Sequence, residues 1–284
     1  MLSANPKLLS GMRADPFPVL HSSLPTAASF TAMAMLAASV SIAMPHKAAA
    51  EDSDAAEKIF QAMSDYVSGQ KAIHLTYNAS LELVTDDLQK VAFASSGSIS
   101  LMRPDKLRFT RKGGFVDLEL TYDSKTVTAL GKNLDVFARV PVEGPIDEAL
   151  DTLTFDYDVQ APAADLLSSN PFERMMANVT EAKDLGSGVI NGQECDHLAF
   201  RTRETDWEIW VAQGNAPYPC RFTITSKMVA MAPSYTIEIT SWKTGDDVPA
   251  DDFALAVGDA KEIKLEDMTE GFELAVDMAK ENAQ

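Results

Sequence analysis

The chain is poor in the residues from which most catalytic and metal sites are built. Of its 284 residues, only two are cysteine and four are histidine. It contains no G-x-S-x-G elbow, no H-E-x-x-H helix and no phosphate-binding loop. A zinc site would need more histidine and cysteine than a disulfide between the two cysteines would leave. We therefore expect neither an enzyme nor a bound cofactor or metal.

Positive charge is also scarce, with 24 lysines and arginines against 42 aspartates and glutamates, for a net charge of −18. The first fifty residues hold three of the basic and one of the acidic side chains. Residues 51–284 therefore keep 21 basic and 41 acidic residues, a net charge of −20. Such a surface repels nucleic acid and anionic membrane faces. We expect neither as a partner, and we expect a monomer.

The first fifty residues differ in kind from the rest. Lys7 and Arg13 precede an uncharged stretch, 16–44, and a small-residue site follows at 48–50, just before Glu51. This is the pattern of a secretory signal. The alternative is an uncleaved membrane anchor, since about 20 apolar residues can span a bilayer. The alanine and serine content favours cleavage, which we predict near Ala50.

The two cysteines, Cys195 and Cys220, both lie in predicted strands. In an oxidising compartment an isolated pair is a candidate disulfide. Closing the loop between them would stabilise the fold by roughly 3 kcal/mol on the chain-entropy model. The alternative is two free, buried thiols. We predict the disulfide.

After the signal, the apolar spacing predicts one helix and then a run of strands. Ser53 is a suitable N-cap for a helix from Asp54 to about Ser68, which Gly69 ends. The apolar period then changes to two, which is typical of half-buried antiparallel strands. About six strands joined by short turns are predicted between 73 and 140.

The middle of the chain is helical in pattern. Pro145 to Leu153 forms one short helix, and prolines open two more at 163–167 and 172–179, because proline is favoured in a first helical turn. Strands resume after a hairpin region at 186–192, with about four of them between 194 and 242.

This order predicts mainly antiparallel β structure with α helices (α+β), a long curved sheet with short helices against one face. We expect Pro249 to Phe253 to close the sheet, and Leu265 to Ala283 to form a polar, loosely attached helix. The predicted organisation is a signal peptide at 1–50, a β domain at 51–258, and a polar helical or disordered tail at 259–284.

Several local phrases, taken in order, resemble an uncharacterised family of predicted periplasmic proteins related to the lipoprotein carrier LolA and its receptor LolB. The phrases are RPDKLR at 103–108, YDSKTV at 122–127, NG at 191–192 with CDHLAF at 195–200, WEIWV at 207–211 and YPCRF at 218–222. The resemblance covers about residues 53 to 257. It implies a periplasmic protein whose incomplete antiparallel barrel, capped by short helices, encloses an apolar cavity. LolA-like members hold acyl chains in such a cavity.

The middle helices are rich in leucine and methionine, which suit a cavity that accepts a variable acyl chain. The alternative is that these are core residues closing one end of the sheet. Trp207 and Trp210 point to opposite faces of a strand, so only one can face the cavity. The candidate ligand-binding residues are Leu107, Phe109, Leu150, Leu153, Leu166, Leu167, Phe172, Met175, Met176 and Trp210.

The expected function is therefore binding of a lipid or another hydrophobic ligand, as a carrier or chaperone. An outer-membrane or other envelope protein is the expected macromolecular partner. The alternative is a non-enzymatic envelope interaction or sensor module with the same fold and a filled core. An internal void separates the two hypotheses, because a carrier needs one.

Overall fold

The computed structural model of the protein describes residues 46–157, 159, 161, 163–249 and 253–268, with only the backbone described for 46–52. Most of the predicted signal, the predicted helix-opening Pro162 and residues 269–284 lie outside this part. None of the described helices is long and apolar enough to cross a membrane.

Twelve strands form a single open sheet in the described residues, in the order β12-β6-β5-β4-β3-β2-β1-β11-β10-β9-β8-β7. All neighbouring pairs are antiparallel except β12 with β6. The strands are β1 (Ala72–Val84), β2 (Lys90–Met102), β3 (Lys106–Gly113), β4 (Asp117–Tyr122), β5 (Thr126–Gly131), β6 (Val136–Pro141), β7 (Glu181–Ile190), β8 (Gln193–Arg201), β9 (Thr205–Ala212), β10 (Pro219–Ser226), β11 (Ser234–Thr244) and β12 (Lys261–Glu262).

Alternation along the strands gives the sheet one apolar and one polar face. Leu75 pairs with Ile99, and Ile99 with Phe109, so their side chains form a row on the apolar face. The neighbouring row joins Thr76, Ser98 and Thr110 on the polar face. Because successive strand residues point to opposite sides, the period of two in the sequence translates directly into these rows.

The first helix, α1 (His46–Gly69), covers part of the apolar face. Its fully buried residues Ala56, Phe60, Met63 and Val67 recur every three or four positions, which places them on one side of the helix. The ring of Phe60 lies 5.3 Å from that of Trp207 on β9.

The predicted start of α1 was wrong. The described part of the helix already includes residues 46–53, ahead of Asp54. Three alanines at 48–50 are strong helix formers, which accounts for this extension. Ser53 therefore lies within the helix, where its hydroxyl donates a hydrogen bond to Glu57 Oε1 over 3.2 Å instead of capping a terminus.

Three short helices form a cap over another part of the apolar face. The cap consists of α2 (Ile146–Phe155), a 3₁₀ turn (Ala164–Leu167) and α3 (Pro171–Met176). Each matches a predicted helix to within a few residues. Asn170 caps α3 by accepting a hydrogen bond from the Glu173 amide.

The sheet contains two strands more than the sequence patterns predict. The first is β7, which pairs with β8 around a tight turn at Asn191 and Gly192, both with positive φ, as a primed hairpin turn requires. The second is β12. It lies beyond the predicted domain end at 258, and Leu265 and Met268 after it are buried in the main core.

The open sheet curls at its β7 edge. Asn191, in the turn after β7, donates a hydrogen bond over 3.0 Å to Glu238 on β11, although β8, β9 and β10 lie between them in the sheet. The predicted fold class, a curved and mainly antiparallel sheet with short helices on one face, is confirmed.

Gly97 on β2 is required by a close crossing. The Tyr77 hydroxyl reaches over it to donate a hydrogen bond to the Thr110 carbonyl oxygen at 2.8 Å. A Cβ at Gly97 would overlap that carbonyl oxygen and lie 2.7 Å from the Tyr77 hydroxyl.

We predict that Gly97→Ala lowers the free energy of unfolding by about 2 to 4 kcal/mol, because either the sheet or Tyr77 must move. Urea unfolding monitored by circular dichroism measures this. The control is Gly114→Ala, where an added Cβ meets nothing within 4 Å. Equal midpoints for the two variants would contradict the prediction.

Candidate functional site

A small apolar groove lies between the sheet and the cap. Its volume is about 30 Å³, enough for one or two water molecules or the end of an alkyl chain. The lining residues come from β1, β2, β10, β11 and the 3₁₀ turn with the residue before it; they are Leu75, Ile99, Ala163, Leu166, Leu167, Pro219, Arg221, Phe222, Ile237, Ile239 and Trp242.

A bulge in β11 brings a tryptophan to the groove. Tyr77 pairs with Ile239 but Thr76 pairs with Ser241, so Thr240 is an extra residue in β11. The bulge shifts the side-chain alternation by one position. As a result Ile239 and Trp242 both face the groove, although they are three positions apart.

The indole of Trp242 has an unusual polar environment. Its Nε1 is buried and has no hydrogen-bond partner among the described residues. Tyr218 stacks on it with ring centroids 5.4 Å apart and planes at 11°, which fixes the plane of the indole. Burial raises the pKa of the Tyr218 hydroxyl above its ordinary value.

Arg103 attaches the cap to the edge of the groove. Its Nη2 donates hydrogen bonds to the carbonyl oxygens of Leu167 at 2.9 Å and Ser168 at 3.1 Å. Its Nε donates to the Gln70 carbonyl oxygen, at the end of α1, over 3.2 Å. Burial lowers the pKa of the guanidinium, and the negative charge of Asp147 opposes that effect. One charged side chain therefore joins the 3₁₀ turn to the segment that directly follows α1.

Arg174 holds the cap together internally. It lies on α3 and makes two hydrogen bonds of 2.8 Å to the carboxylate of Asp151 on α2. It also lies 3.4 Å from Asp165 of the 3₁₀ turn. The hydrogen bond to Asp151 raises the pKa of Arg174. The three cap helices are thus linked to one another by charge-assisted bonds.

The predicted ligand-binding residues occupy three different environments. Leu166 and Leu167 line the groove. Leu107, Leu153 and Met175 are buried in the main core, and the remaining apolar candidates except Trp210 pack partly buried against that core; these are Phe109, Leu150, Phe172 and Met176.

Trp210, also predicted to line the cavity, is not among the residues that line this groove. Trp210 packs in a separate cluster with the two cysteines, and its ring stacks 4.0 Å from that of His197. Trp207 is the tryptophan of this strand that faces the core, where it is 1% exposed. Alternation along the strand predicts that Trp207 and Trp210 point to opposite faces of the sheet. It does not indicate which of these faces the helices cover.

None of the strand residues that line the groove was among the predicted ligand-binding residues. Ile99, Ile237 and Ile239 belong to strands with clear alternation, which could have indicated that they share the inner face. Trp242 could not have been placed by alternation, because the bulge at Thr240 changes its parity.

His74 and His197 lie in polar pairs away from the groove. His74 Nδ1 is 2.9 Å from the Ser100 hydroxyl, and His197 Nε2 is 2.7 Å from Glu208 Oε2. Within the described residues, no group of three or more histidine, cysteine, aspartate or glutamate side chains could hold a metal ion.

The two cysteines are free thiols in the structure, so the predicted disulfide is not formed in it. The two cysteines are nevertheless neighbours. Cys195 on β8 and Cys220 on β10 share one buried cluster with Ile190 and Ala212. Burial raises the pKa of both thiols. Proximity alone does not form the bond, since both thiols must also lose their protons and electrons to an oxidant.

A family model described as "Predicted periplasmic protein (DUF2092)" matches residues 56–266. No curated protein sequence matches the chain. Among solved structures, an uncharacterized conserved protein from Thermus thermophilus is 10% identical with a TM-score of 0.44, covering 74% of this chain and 99% of that chain.

Two further structures are similar to the same degree. The Mycobacterium tuberculosis lipoprotein LppX is 13% identical with a TM-score of 0.41, covering 70% of this chain and 98% of that chain. The Pseudomonas aeruginosa MucA/MucB complex is 10% identical with a TM-score of 0.41, covering 71% of this chain and 61% of that chain.

We predict that Arg103→Lys loosens the cap, because a single ammonium cannot replace the fork of donors that reaches three carbonyl oxygens. Losing a hydrogen bond from a charged donor costs about 1.5 to 3 kcal/mol. Because each 1.4 kcal/mol is a factor of ten, hydrogen exchange of the cap amides should accelerate about tenfold to a hundredfold. Arg203→Lys, at an exposed position, is the control. Unchanged exchange in the cap would show that apolar packing alone holds it.

We predict that Cys195 and Cys220 form a disulfide when the purified protein is incubated with oxidised glutathione. The intact mass should fall by two hydrogens. Because burial raises the pKa of both thiols and the thiolate is the attacking form, the reaction should accelerate as pH rises above neutral. Cys220→Ala cannot lose the two hydrogens. Two titratable thiols in the unfolded, oxidant-treated protein would contradict the prediction.

Proposed function

The chain belongs to the DUF2092 family of predicted periplasmic proteins, and from this premise we propose that it binds a lipid or another hydrophobic ligand in the groove beneath its cap. Binding would serve a carrier or chaperone role. The observation that supports this most is a void on the apolar face of the sheet, between strands and cap, lined almost wholly by apolar side chains.

The free energy of binding would come from burying hydrocarbon, at about 0.8 kcal/mol for each CH₂. No covalent step is needed. Release would follow from movement of the cap or from a competing partner in the envelope.

The volume of about 30 Å³ sets a requirement for this function. This volume is well below that of a whole acyl chain. The cap must therefore move away from the sheet as the acyl chain enters. The contacts that resist this movement include the hydrogen bonds of Arg103 to the carbonyl oxygens of Leu167 and Ser168. Such bonds can break and reform without disturbing the strand ladder.

The same small volume favours a second candidate. An envelope interaction or sensor module needs no internal void, and a groove of this size is close to a filled interior. In that case the protein would act through its surface, and an envelope protein would be its partner.

The deciding experiment is to purify residues 51–284 from the periplasm and measure the intact mass under native conditions. The carrier function predicts a population heavier by a discrete, lipid-sized mass that organic extraction removes. A bare mass, together with no binding of added lipid after the cap is loosened by Arg103→Lys, would favour the interaction module instead.

A matched pair of variants assigns any bound mass to the groove. Ile239 lines the groove and is half-buried, so Ile239→Trp should fill it and reduce the bound fraction at least tenfold. Ile224, also half-buried, lies on the neighbouring strand outside the groove. Ile224→Trp should retain the ligand. Equal loss in both variants would place the ligand elsewhere.

A further inference from the structure

Two buried indole nitrogens, those of Trp207 and Trp242, lack hydrogen-bond partners among the described residues. A buried donor left unpaired costs about 1 to 3 kcal/mol, and native proteins leave few such groups. Each of them therefore needs an explanation.

The surroundings of the two indoles differ. Trp207 is 1% exposed and enclosed by aromatic rings, with Phe200 stacked on it at 4.0 Å and Phe60 at 5.3 Å. No ligand can reach it without unpacking the core. Trp242, by contrast, is half-buried and lines the groove. Of the two indoles, only that of Trp242 belongs to a residue that lines the groove.

The other polar residue in the lining is already engaged. Arg221 donates hydrogen bonds from Nε, at 2.9 Å, and from Nη2 to Glu238 Oε2. Its guanidinium also lies over the ring of Trp210, 5.4 Å from the centroid. The Arg221 guanidinium is therefore already paired and does not offer a free positive charge to an anionic head group. A neutral acceptor suits the groove better than a carboxylate or a phosphate.

The donor at Trp242 is also held in place. Stacking against Tyr218 fixes the plane of the ring, and pairing of Leu75 with Trp242 fixes its position in the sheet. A donor whose orientation is set before binding gains more from an acceptor than a mobile one, because less freedom is lost.

We infer that the groove selects ligands that carry a neutral oxygen acceptor, a carbonyl or an ester, beside their hydrocarbon chain, and that Trp242 Nε1–H donates to that oxygen. This inference rests on the proposed function. It adds that acyl compounds are distinguished from plain hydrocarbons, and that Trp242 is the residue that distinguishes them.

The test compares 2-octanone with octane, each measured by displacement of N-phenyl-1-naphthylamine. In Trp242→Phe, which keeps an aromatic ring but removes the N–H, the ratio of ketone to alkane affinity should fall about fivefold to tenfold. Using the ratio cancels the different hydration of the two probes. Trp210→Phe, in the separate cluster with the cysteines, should keep the wild-type ratio.

A second measurement does not depend on the variant folding. The chain has three tryptophans, so the ¹H–¹⁵N spectrum of the wild-type protein has three indole signals. Addition of 2-octanone should move the Trp242 indole proton downfield, while octane should not, and the Trp207 signal should stay in place.

The outcomes separate the two proposals. If neither probe binds the wild-type protein, the proposed function fails and the inference fails with it. If both probes bind, but the affinity ratio and the indole signal are unchanged, the function stands and the role of Trp242 is overturned.

Discussion

A sheet of twelve strands with one apolar face cannot leave that face in water, and the way it is covered organises the rest of the molecule. Burial of apolar area, at about 25 cal/mol per Å², drives α1 and the cap onto it. Phe60 of α1 packs against β8 and β9, and Leu166 and Leu167 of the cap face β10, β11, β1 and β2. The groove is the part of this junction that neither cover fills.

The two covers are held by different kinds of interaction. Contact between α1 and the sheet is dominated by interlocked aromatic rings, in which Phe60 touches Phe200 and Trp207, and such packing is lost only when the core opens. The cap also depends on directional bonds from Arg103 and Arg174. Directional bonds have discrete formed and broken states. The cap also touches α1, since the ring of Phe172 lies 5.9 Å from that of Phe60. Movement of the cap therefore requires this contact to separate as well as the bonds of Arg103 to break.

Sequence reasoning reached most of the fold, because strands covered on one face alternate in hydrophobicity and the prolines mark the short helices. It failed where a residue's environment depends on the neighbouring strand. The bulge at Thr240 moves Trp242 onto the groove face. The choice between Trp207 and Trp210 depends on which face α1 covers. Ile99, Ile237 and Ile239, by contrast, lie on alternating strands, so the sequence could have placed them on the inner face, although not specifically in the groove.

The small volume of the groove and the unpaired indole are consistent with each other. A void of about 30 Å³ loses few dispersion contacts, so the cap can rest on the sheet without a ligand at small cost. Trp242 Nε1, without a partner among the described residues in that state, raises the free energy of the ligand-free form. A compound with both a hydrocarbon chain and an oxygen acceptor would fill the void and also accept a hydrogen bond from Trp242 Nε1. A plain hydrocarbon would only fill the void. Affinity would then come from the apolar lining, and selectivity from one fixed donor.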